Sequence, residues 1–340
     1  MKNLLCTVWV CFISQALWAQ HPDSAQYYFK KGLMESDAHH FAVAGKSFDK
    51  AIQFNPDFTE AYVANGKANL EMSRVYEATQ NFTKAYQLQP SNNEVIKKLA
   101  TLYFNNRQYQ KAIDLVQKCK DCPDADRILG MSYYNTEDYG KALTFLQKAI
   151  LKNNKDGQAA YTLGRTYLEL ENEKSAIPQF QKAIELEPER NTWMYELGLI
   201  YYSQNDFKNS LKYFDMAIDK GYNKTNDFHE NYGFAKLYSG DVENGIKSLD
   251  MVLQRKPNNT ELLNNIAHAM YDTKQYEKAI GYYEKLLTLN PKDASSLFMA
   301  GMTFQKMGQK EKGQKICDKA IEMDPSLAKN RQKQEMPMGL

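Results

Sequence analysis

The stretch YTLGRTYLELENEKSAIPQFQKAIELEP, residues 161–188, decides the fold because it holds two apolar-periodic segments joined by a short polar turn. In each segment apolar residues recur every three or four positions, which indicates an amphipathic helix. The stretch ends at Pro188, and a proline stops a helix and keeps the residue before it out of the helical conformation. Similar endings recur along the chain as AIQFNP, AYQLQP, LLTLNP and AIEMDP.

The prolines of these endings are spaced at a constant interval. Pro56 and Pro90 lie 34 residues apart, and so do Pro257 and Pro291, and Pro291 and Pro325. A constant period of this length predicts an array of helical repeats.

Small residues recur in the same register, at the eighth and twentieth positions of each repeat. The eighth positions hold Gly32, Gly66, Ala100, Gly130, Gly164, Gly198, Gly233, Ala267 and Gly301. The twenty-fourth position is mostly large and apolar, with Cys317 as the exception. Two antiparallel helices can approach closely only where one side chain is nearly absent, and a bulky residue can then fill the space one turn further along.

With these positions the chain resembles the tetratricopeptide repeat family of helix–turn–helix solenoids. Nine repeats start near residues 25, 59, 93, 123, 157, 191, 226, 260 and 294. The resemblance implies an all-α fold, a right-handed superhelical solenoid of about nine repeats whose first helices line the concave face. Asn154 and Tyr222 depart from the pattern because they replace the closing proline, and the third repeat is short.

The two ends of the chain differ from the repeats. Residues 1–19 hold one Lys and then an apolar run that is too short to span a bilayer, which is typical of a secretory signal cleaved near Ala19. We therefore expect an exported protein, in the periplasm or at the cell surface of a bacterium, with no membrane span in the mature chain. Residues 20–325 form the predicted solenoid, and residues 326–340 form the start of a capping helix and a disordered tail.

Composition and motifs exclude several classes of function. The net charge is only +2 with the two signs interspersed, so we expect no nucleic-acid partner. The chain has no Gly-rich phosphate loop, no H-E-x-x-H and no G-x-S-x-G. We predict neither a cofactor nor a metal site, and we do not expect an enzyme.

The resemblance also implies where a partner would bind, because positions two, five, nine, twelve and thirteen of each first helix build the groove in this family. From the fourth repeat onward these positions carry many aromatic side chains. The predicted groove residues are Met131, Tyr134, Tyr161, Arg165, Tyr195, Leu199, Tyr202, Phe234, Tyr238, His268 and Tyr271. Since Tyr, Met and Arg are enriched where proteins bind proteins, we expect a peptide segment or a helix of a protein partner. The alternative is that some of these residues pack between neighbouring first helices.

The stretch KCKDCPD, residues 118–124, has the C-x-x-C spacing of thiol–disulfide enzymes and of some zinc sites. A redox C-x-x-C normally places its attacking cysteine at a helix N-terminus. Here Cys119 is expected to end one helix and Cys122 to precede the next. We therefore expect a structural role, with a possible disulfide between Cys119 and Cys122.

Together these observations favour a non-enzymatic, exported scaffold that binds a peptide or helix of a partner and organises an envelope, secretion or polymer-handling assembly. A second hypothesis is a thiol-redox protein that acts through Cys119 and Cys122. A third is a substrate-recruiting subunit whose catalytic partner is a separate chain.

Overall fold

A computed structural model describes residues 22–119, 122 and 124–329. These residues form eighteen α-helices and a short 3-10 helix, Pro325–Leu327, and they contain no strand. The predicted all-α fold is therefore confirmed. The expected signal peptide, the predicted fourth-repeat start at Pro123 and the tail beyond residue 329 lie outside the described residues.

The helices form nine antiparallel hairpins, each with a first and a second helix. The first helices are α1 Pro22–Asp37, α3 Thr59–Glu71, α5 Asn93–Asn105, α7 Ala125–Asn135, α9 Gly157–Glu169, α11 Asn191–Ser203, α13 Asn226–Tyr238, α15 Thr260–Asp272 and α17 Ala294–Lys306. The second helices are α2 Phe41–Phe54, α4 Val75–Leu88, α6 Tyr109–Val116, α8 Tyr139–Lys152, α10 Glu173–Leu186, α12 Phe207–Asp219, α14 Val242–Arg255, α16 Tyr276–Leu289 and α18 Lys310–Met323.

The hairpins belong to two compact units, which are Met1–Leu186 and Glu187–Leu340. Within the units most second helices pack against the first helix of the next hairpin, as α2 does against α3 and α16 against α17, so the core is extended along the hairpins. In the first unit a continuous hydrophobic cluster includes buried residues from Val63 to Leu163. The largest cluster of the second unit includes buried residues from Leu237 to Ala300.

Each hairpin closes where the small residue at position eight meets the side chain at position twenty-four. A Cβ atom added to Gly198 would lie 2.5 Å from the ring of Phe214, and one added to Gly301 would lie 2.6 Å from Sγ of Cys317. The predicted pairing of a small with a larger residue is confirmed at both places. Buried Cys317 fills the same site as the bulkier residues of the other repeats.

The turn inside every hairpin uses one residue in the left-handed conformation, always at position fifteen. These residues have φ between 56° and 96°; they are His39, Ser73, Arg107, Glu137, Glu171, Asn205, Gly240, Lys274 and Gly308. The next backbone N–H then donates to a carbonyl five residues earlier, as from Asp206 to Tyr201 at 2.9 Å. This bond satisfies a carbonyl that the helix end would otherwise leave open.

The joint between hairpins depends on an extended residue before the closing proline. Asn290, ahead of Pro291, has φ −137° and ψ 93°. Asn153 has nearly the same backbone, φ −139° and ψ 93°, although Asn154 stands where the proline is expected. The joint therefore forms without the proline.

The third hairpin is short, as its sequence indicates. Helix α6 has 8 residues, whereas α8 in the next hairpin has 14. Among the described residues, no helix combines the length and the apolar character that a bilayer crossing requires.

Candidate functional site

We call the residues at positions two, five, nine, twelve and thirteen of the first helices the first-helix face. Met131 was predicted to line it, but its side chain is only 7% exposed and belongs to the core of the first unit. The flexible thioether fills space among other apolar groups there. Met131 therefore packs in the core, which is the alternative stated for these positions.

Ion pairs occupy much of the first-helix face in the first unit. Each pair joins a cation on one first helix to a carboxylate at or just before the start of the next. The pairs are Lys67–Glu94 (2.5 Å), Lys97–Asp124, and Arg127–Asp156 (2.5 Å). Partly exposed pairs of this kind contribute about 1 kcal/mol at most, but they neutralise the cations that a partner would otherwise meet.

Tyr161 and Arg165 are held by their own hairpin. The ring of Tyr161 meets the ring of Phe180 edge-on, with centroids 5.4 Å apart. Arg165 donates from Nη1 to the Tyr161 hydroxyl at 3.3 Å, and its Nη2 lies 3.9 Å from a carboxylate oxygen of Glu169. Both predicted residues are half-buried, and these contacts fix their orientation.

Aromatic side chains at position twelve pack across the turn against aromatic side chains at position seventeen. The pairs, with their centroid distances, are Phe104–Tyr109 (5.6 Å), Tyr134–Tyr139 (5.9 Å), Tyr202–Phe207 (5.7 Å) and Tyr271–Tyr276 (5.8 Å). Three of the predicted groove residues therefore have an intrahairpin packing role. The recurrence of aromatic residues at both positions was the sequence signal for this contact.

Tyr195 packs between two hairpins of the second unit. Its ring stacks on Tyr222 at 4.6 Å and lies 5.6 Å from Phe228, and its hydroxyl accepts a hydrogen bond from Nδ2 of Asn231 at 2.9 Å. Burial raises the pKa of Tyr195. The packing alternative thus describes this residue, and it also explains Tyr222, which replaces the closing proline with a ring that covers Tyr195.

Tyr202 and Tyr238 of this face form a group of three rings with Phe207 of α12, which we call the aromatic patch. Phe207 and Tyr238 stack with centroids 5.1 Å apart, so the patch joins two hairpins. Tyr238 is 37% exposed. Burial, with a smaller effect of Tyr238, raises the pKa of Tyr202 to about 12, so its hydroxyl stays protonated at neutral pH.

Two further predicted residues flank the aromatic patch. Leu199 lies one turn before Tyr202 on α11, and Phe234 lies one turn before Tyr238 on α13; both are half-buried. On α15, His268 is also half-buried, and its ring meets Tyr283 edge-on at 5.9 Å. The second unit therefore presents several aromatic side chains on its first-helix face, where the first unit has ion pairs.

A disulfide joins Cys119 to Cys122, with Cα atoms 5.9 Å apart. It lies between the end of α6 at Val116 and the start of α7 at Ala125, and both cysteines are half-buried against the core of the first unit. Neither cysteine stands at a helix N-terminus. The part of the chain that the structure describes has no group of three His, Cys, Asp or Glu residues able to hold a metal ion.

Family models match several parts of this chain. Models described as tetratricopeptide repeat match residues 161–223, 260–293 and 294–327. None of the curated proteins matches the chain.

Solved structures with similar helix arrangements share little sequence. YrrB, described as a TPR protein with an unusual peptide-binding site, is 23% identical with a TM-score of 0.45; the match covers 52% of this chain and 93% of YrrB. A fragment of MamA from Desulfovibrio magneticus RS-1 is 19% identical with a TM-score of 0.45, over 49% of this chain and 97% of the fragment. The TPR domain of P58(IPK) is 15% identical with a TM-score of 0.33, over 92% of this chain and 99% of that domain. The family models thus identify residues 161–223 and 260–327 of this chain as tetratricopeptide repeats.

Proposed function

We propose that this protein is a non-enzymatic scaffold that binds a peptide or helix of a protein partner on the first-helix face of its second unit. The aromatic patch is the observation that carries the proposal. Its rings are stacked across two hairpins and remain partly open to solvent. Rings already held in place lose little conformational freedom when a partner covers them, so more of the interaction energy appears as affinity.

The chemistry of the patch favours an apolar or aromatic segment of the partner. Tyr combines a flat apolar body with a hydroxyl that can bond to a peptide backbone. Leu199 and Phe234 extend the apolar surface along α11 and α13. A helix or an extended peptide with large apolar side chains would be complementary to this surface.

Export completes the proposal. Residues 1–19 would act as the signal, and the mature protein would organise an envelope, secretion or polymer-handling assembly in the periplasm or at the cell surface of a bacterium. The disulfide between Cys119 and Cys122 supports an oxidising compartment, because disulfides persist there and are rare in a reducing cytosol. Cell fractionation with an antibody to the protein tests this part, and a full-length product confined to the cytosol would contradict it.

The binding surface is tested by crosslinking and mass spectrometry of the protein in its own cell, followed by pull-downs with variants. We expect the double variant Leu199→Glu/Tyr238→Glu to lose the crosslinked partner, because the charges would have to be desolvated in the contact. The matched control is Leu151→Glu, since Leu151 is 85% exposed and lies outside the first-helix face. If the double variant, with an unchanged melting curve, keeps every partner, the surface is assigned wrongly.

A further inference from the structure

A cleft in the second unit lies between the second helices α12 and α14, with α13 beneath it. Its volume is about 360 Å³, and we call it the second-helix cleft. Ile218, Phe228, Tyr232 and Met251 supply its apolar lining. Pockets of roughly 300–1,000 Å³ with apolar walls and a few polar groups are the usual form of a ligand site.

The second-helix cleft is separate from the aromatic patch. Tyr232 and Lys236 lie four residues apart and share one side of α13. Because an α-helix turns by about 100° per residue, this side is opposite to the one that carries Phe234 and Tyr238. The two surfaces can therefore be occupied at the same time.

The rim of the second-helix cleft is cationic. Lys224, Lys236 and Lys247 all line it. Lys236 is already paired, with its Nζ 3.1 Å from a carboxylate oxygen of Asp241. Lys224 and Lys247 have no carboxylate within ion-pair distance among the residues that the structure describes.

A carboxylate of α12, Asp215, lies close to Tyr232. The Tyr232 hydroxyl donates to Oδ1 of Asp215 at 2.7 Å, and burial with this bond raises the pKa of Tyr232. His229, 6% exposed, adds no charge at neutral pH, because burial and the charges of Arg255 and Lys224 lower its pKa. Asp215 keeps its negative charge in this bond, so Lys224 and Lys247 together with Asp215 leave the cleft with a net positive charge.

We propose that the second-helix cleft binds an acidic peptide segment of a second partner, with one large apolar side chain against Tyr232 and Met251 and flanking carboxylates on Lys224 and Lys247. Charge complementarity identifies this occupant, since an apolar pocket alone would accept neutral segments equally well. The proposal does not depend on the aromatic patch. With both surfaces occupied, the protein would join two partners, one at the aromatic patch and one at the second-helix cleft.

Isothermal titration calorimetry with capped peptides tests the proposal on the purified protein. The probe is the acidic peptide Asp-Glu-Phe-Asp-Glu, compared with Asn-Gln-Phe-Asn-Gln and with Asp-Glu-Gly-Asp-Glu. We expect the acidic Phe peptide to bind at least tenfold more tightly than either of the others. Its affinity should fall as the salt concentration rises from 0.05 M to 0.5 M, because screening shortens the range of the charges.

The decisive variant is Lys224→Glu/Lys247→Glu, which should weaken binding of the acidic Phe peptide at least tenfold. The matched control is Lys278→Glu/Lys285→Glu, since these lysines line the corresponding cleft between α14 and α16, where Glu243 already supplies a carboxylate. Binding should survive in this control and in Leu199→Glu/Tyr238→Glu, which separates the proposal from the function of the aromatic patch. Equal losses in the two lysine variants, equal binding of the neutral peptide, or no binding to the unaltered protein would each overturn it.

Discussion

Seven non-glycine residues adopt the left-handed conformation at position fifteen, and Lys274 is one of them, with φ 62°. A side chain in this conformation crowds its own backbone, which costs roughly 1–2 kcal/mol, whereas glycine avoids the penalty. The turn geometry is thus imposed by the hairpin and not by the residue. Gly240 and Gly308 show the unstrained solution at the same position.

Replacing Lys274 by glycine should stabilise the protein. We expect Lys274→Gly to raise the free energy of unfolding by about 0.5–1 kcal/mol, because relief of the backbone strain exceeds the entropy that glycine adds to the unfolded chain. Lys274 is exposed, so little packing is lost. Urea denaturation gives the measurement. Gly308→Ala is the reverse control and should lower the free energy of unfolding by a similar amount. A Lys274→Gly protein that is less stable than the original would refute the strain argument.

A second prediction concerns Asp206, the N-cap of α12. Its carboxylate accepts hydrogen bonds from N and Nδ2 of Asn209, at 3.1 and 2.7 Å, and these bonds lower its pKa. A lowered folded-state pKa gives stability that is present above the unfolded value, about 3.9, and is lost as the pH falls through the folded value. Asp206→Ala should therefore destabilise by about 1 kcal/mol at pH 7, and the difference should shrink below about pH 4.

Thermal melts of both proteins between pH 3 and pH 7 measure this effect. Gln309 is a suitable control, because it stands at the same position before α18 and its side chain makes no capping bond. Gln309→Ala should change the melting temperature little at any pH. If Asp206→Ala lowers the melting temperature by the same amount at every pH, the charge of the carboxylate does not contribute to stability.

At the scale of the helices, the disulfide marks the place where the period of 34 residues is broken. Helix α6 ends early at Val116, and the bond between Cys119 and Cys122 constrains the chain before α7 begins at Ala125. In a full-length second helix the hairpin itself would supply this constraint through packing. The bond therefore belongs to the joint between hairpins.

Removing the disulfide should have a modest effect on stability and no effect on partner binding. We expect Cys119→Ser/Cys122→Ser to lower the free energy of unfolding by at most about 2 kcal/mol, because closing so short a loop removes little entropy from the unfolded chain. The double variant and the original should be equally inactive in an insulin-reduction assay and should bind the same partners. Reductase activity of the original that disappears in the double variant would revive the thiol-redox hypothesis.

Helix positions could largely be anticipated from the sequence because they follow from periodic apolar residues and from a small residue at position eight. The exposure of the individual side chains on the first-helix face could not be anticipated. Whether Tyr195 faces solvent or packs depends on Tyr222, in the joint that follows the next helix, and Met131 belongs to a core cluster with members from several hairpins. A position number states which side of a helix a residue occupies, but its exposure is set by tertiary packing.

At the scale of the whole molecule, each hairpin of a unit contacts mainly the neighbouring hairpins of that unit, so stability is distributed along the hairpins. In such proteins the free energy is approximately a sum of terms for single repeats and for adjacent pairs. A defect in one hairpin should then weaken its own region without loosening distant hairpins. Native-state hydrogen exchange reports this directly, because it measures the opening of each segment separately.

Gly198 and Gly281, both helical glycines of the second unit, provide a matched test of this expectation. A Cβ on Gly198 would lie 2.5 Å from the ring of Phe214, whereas a Cβ on Gly281 would meet nothing within 4 Å. We expect Gly198→Ala to destabilise by about 1–3 kcal/mol through overpacking and Gly281→Ala to stabilise by roughly 0.5–1 kcal/mol through helix propensity. In Gly198→Ala, exchange should accelerate in α11–α14 while α3–α6 keep their protection. Acceleration of similar size along the entire chain would mean that the hairpins unfold as one cooperative body, contrary to the nearest-neighbour description.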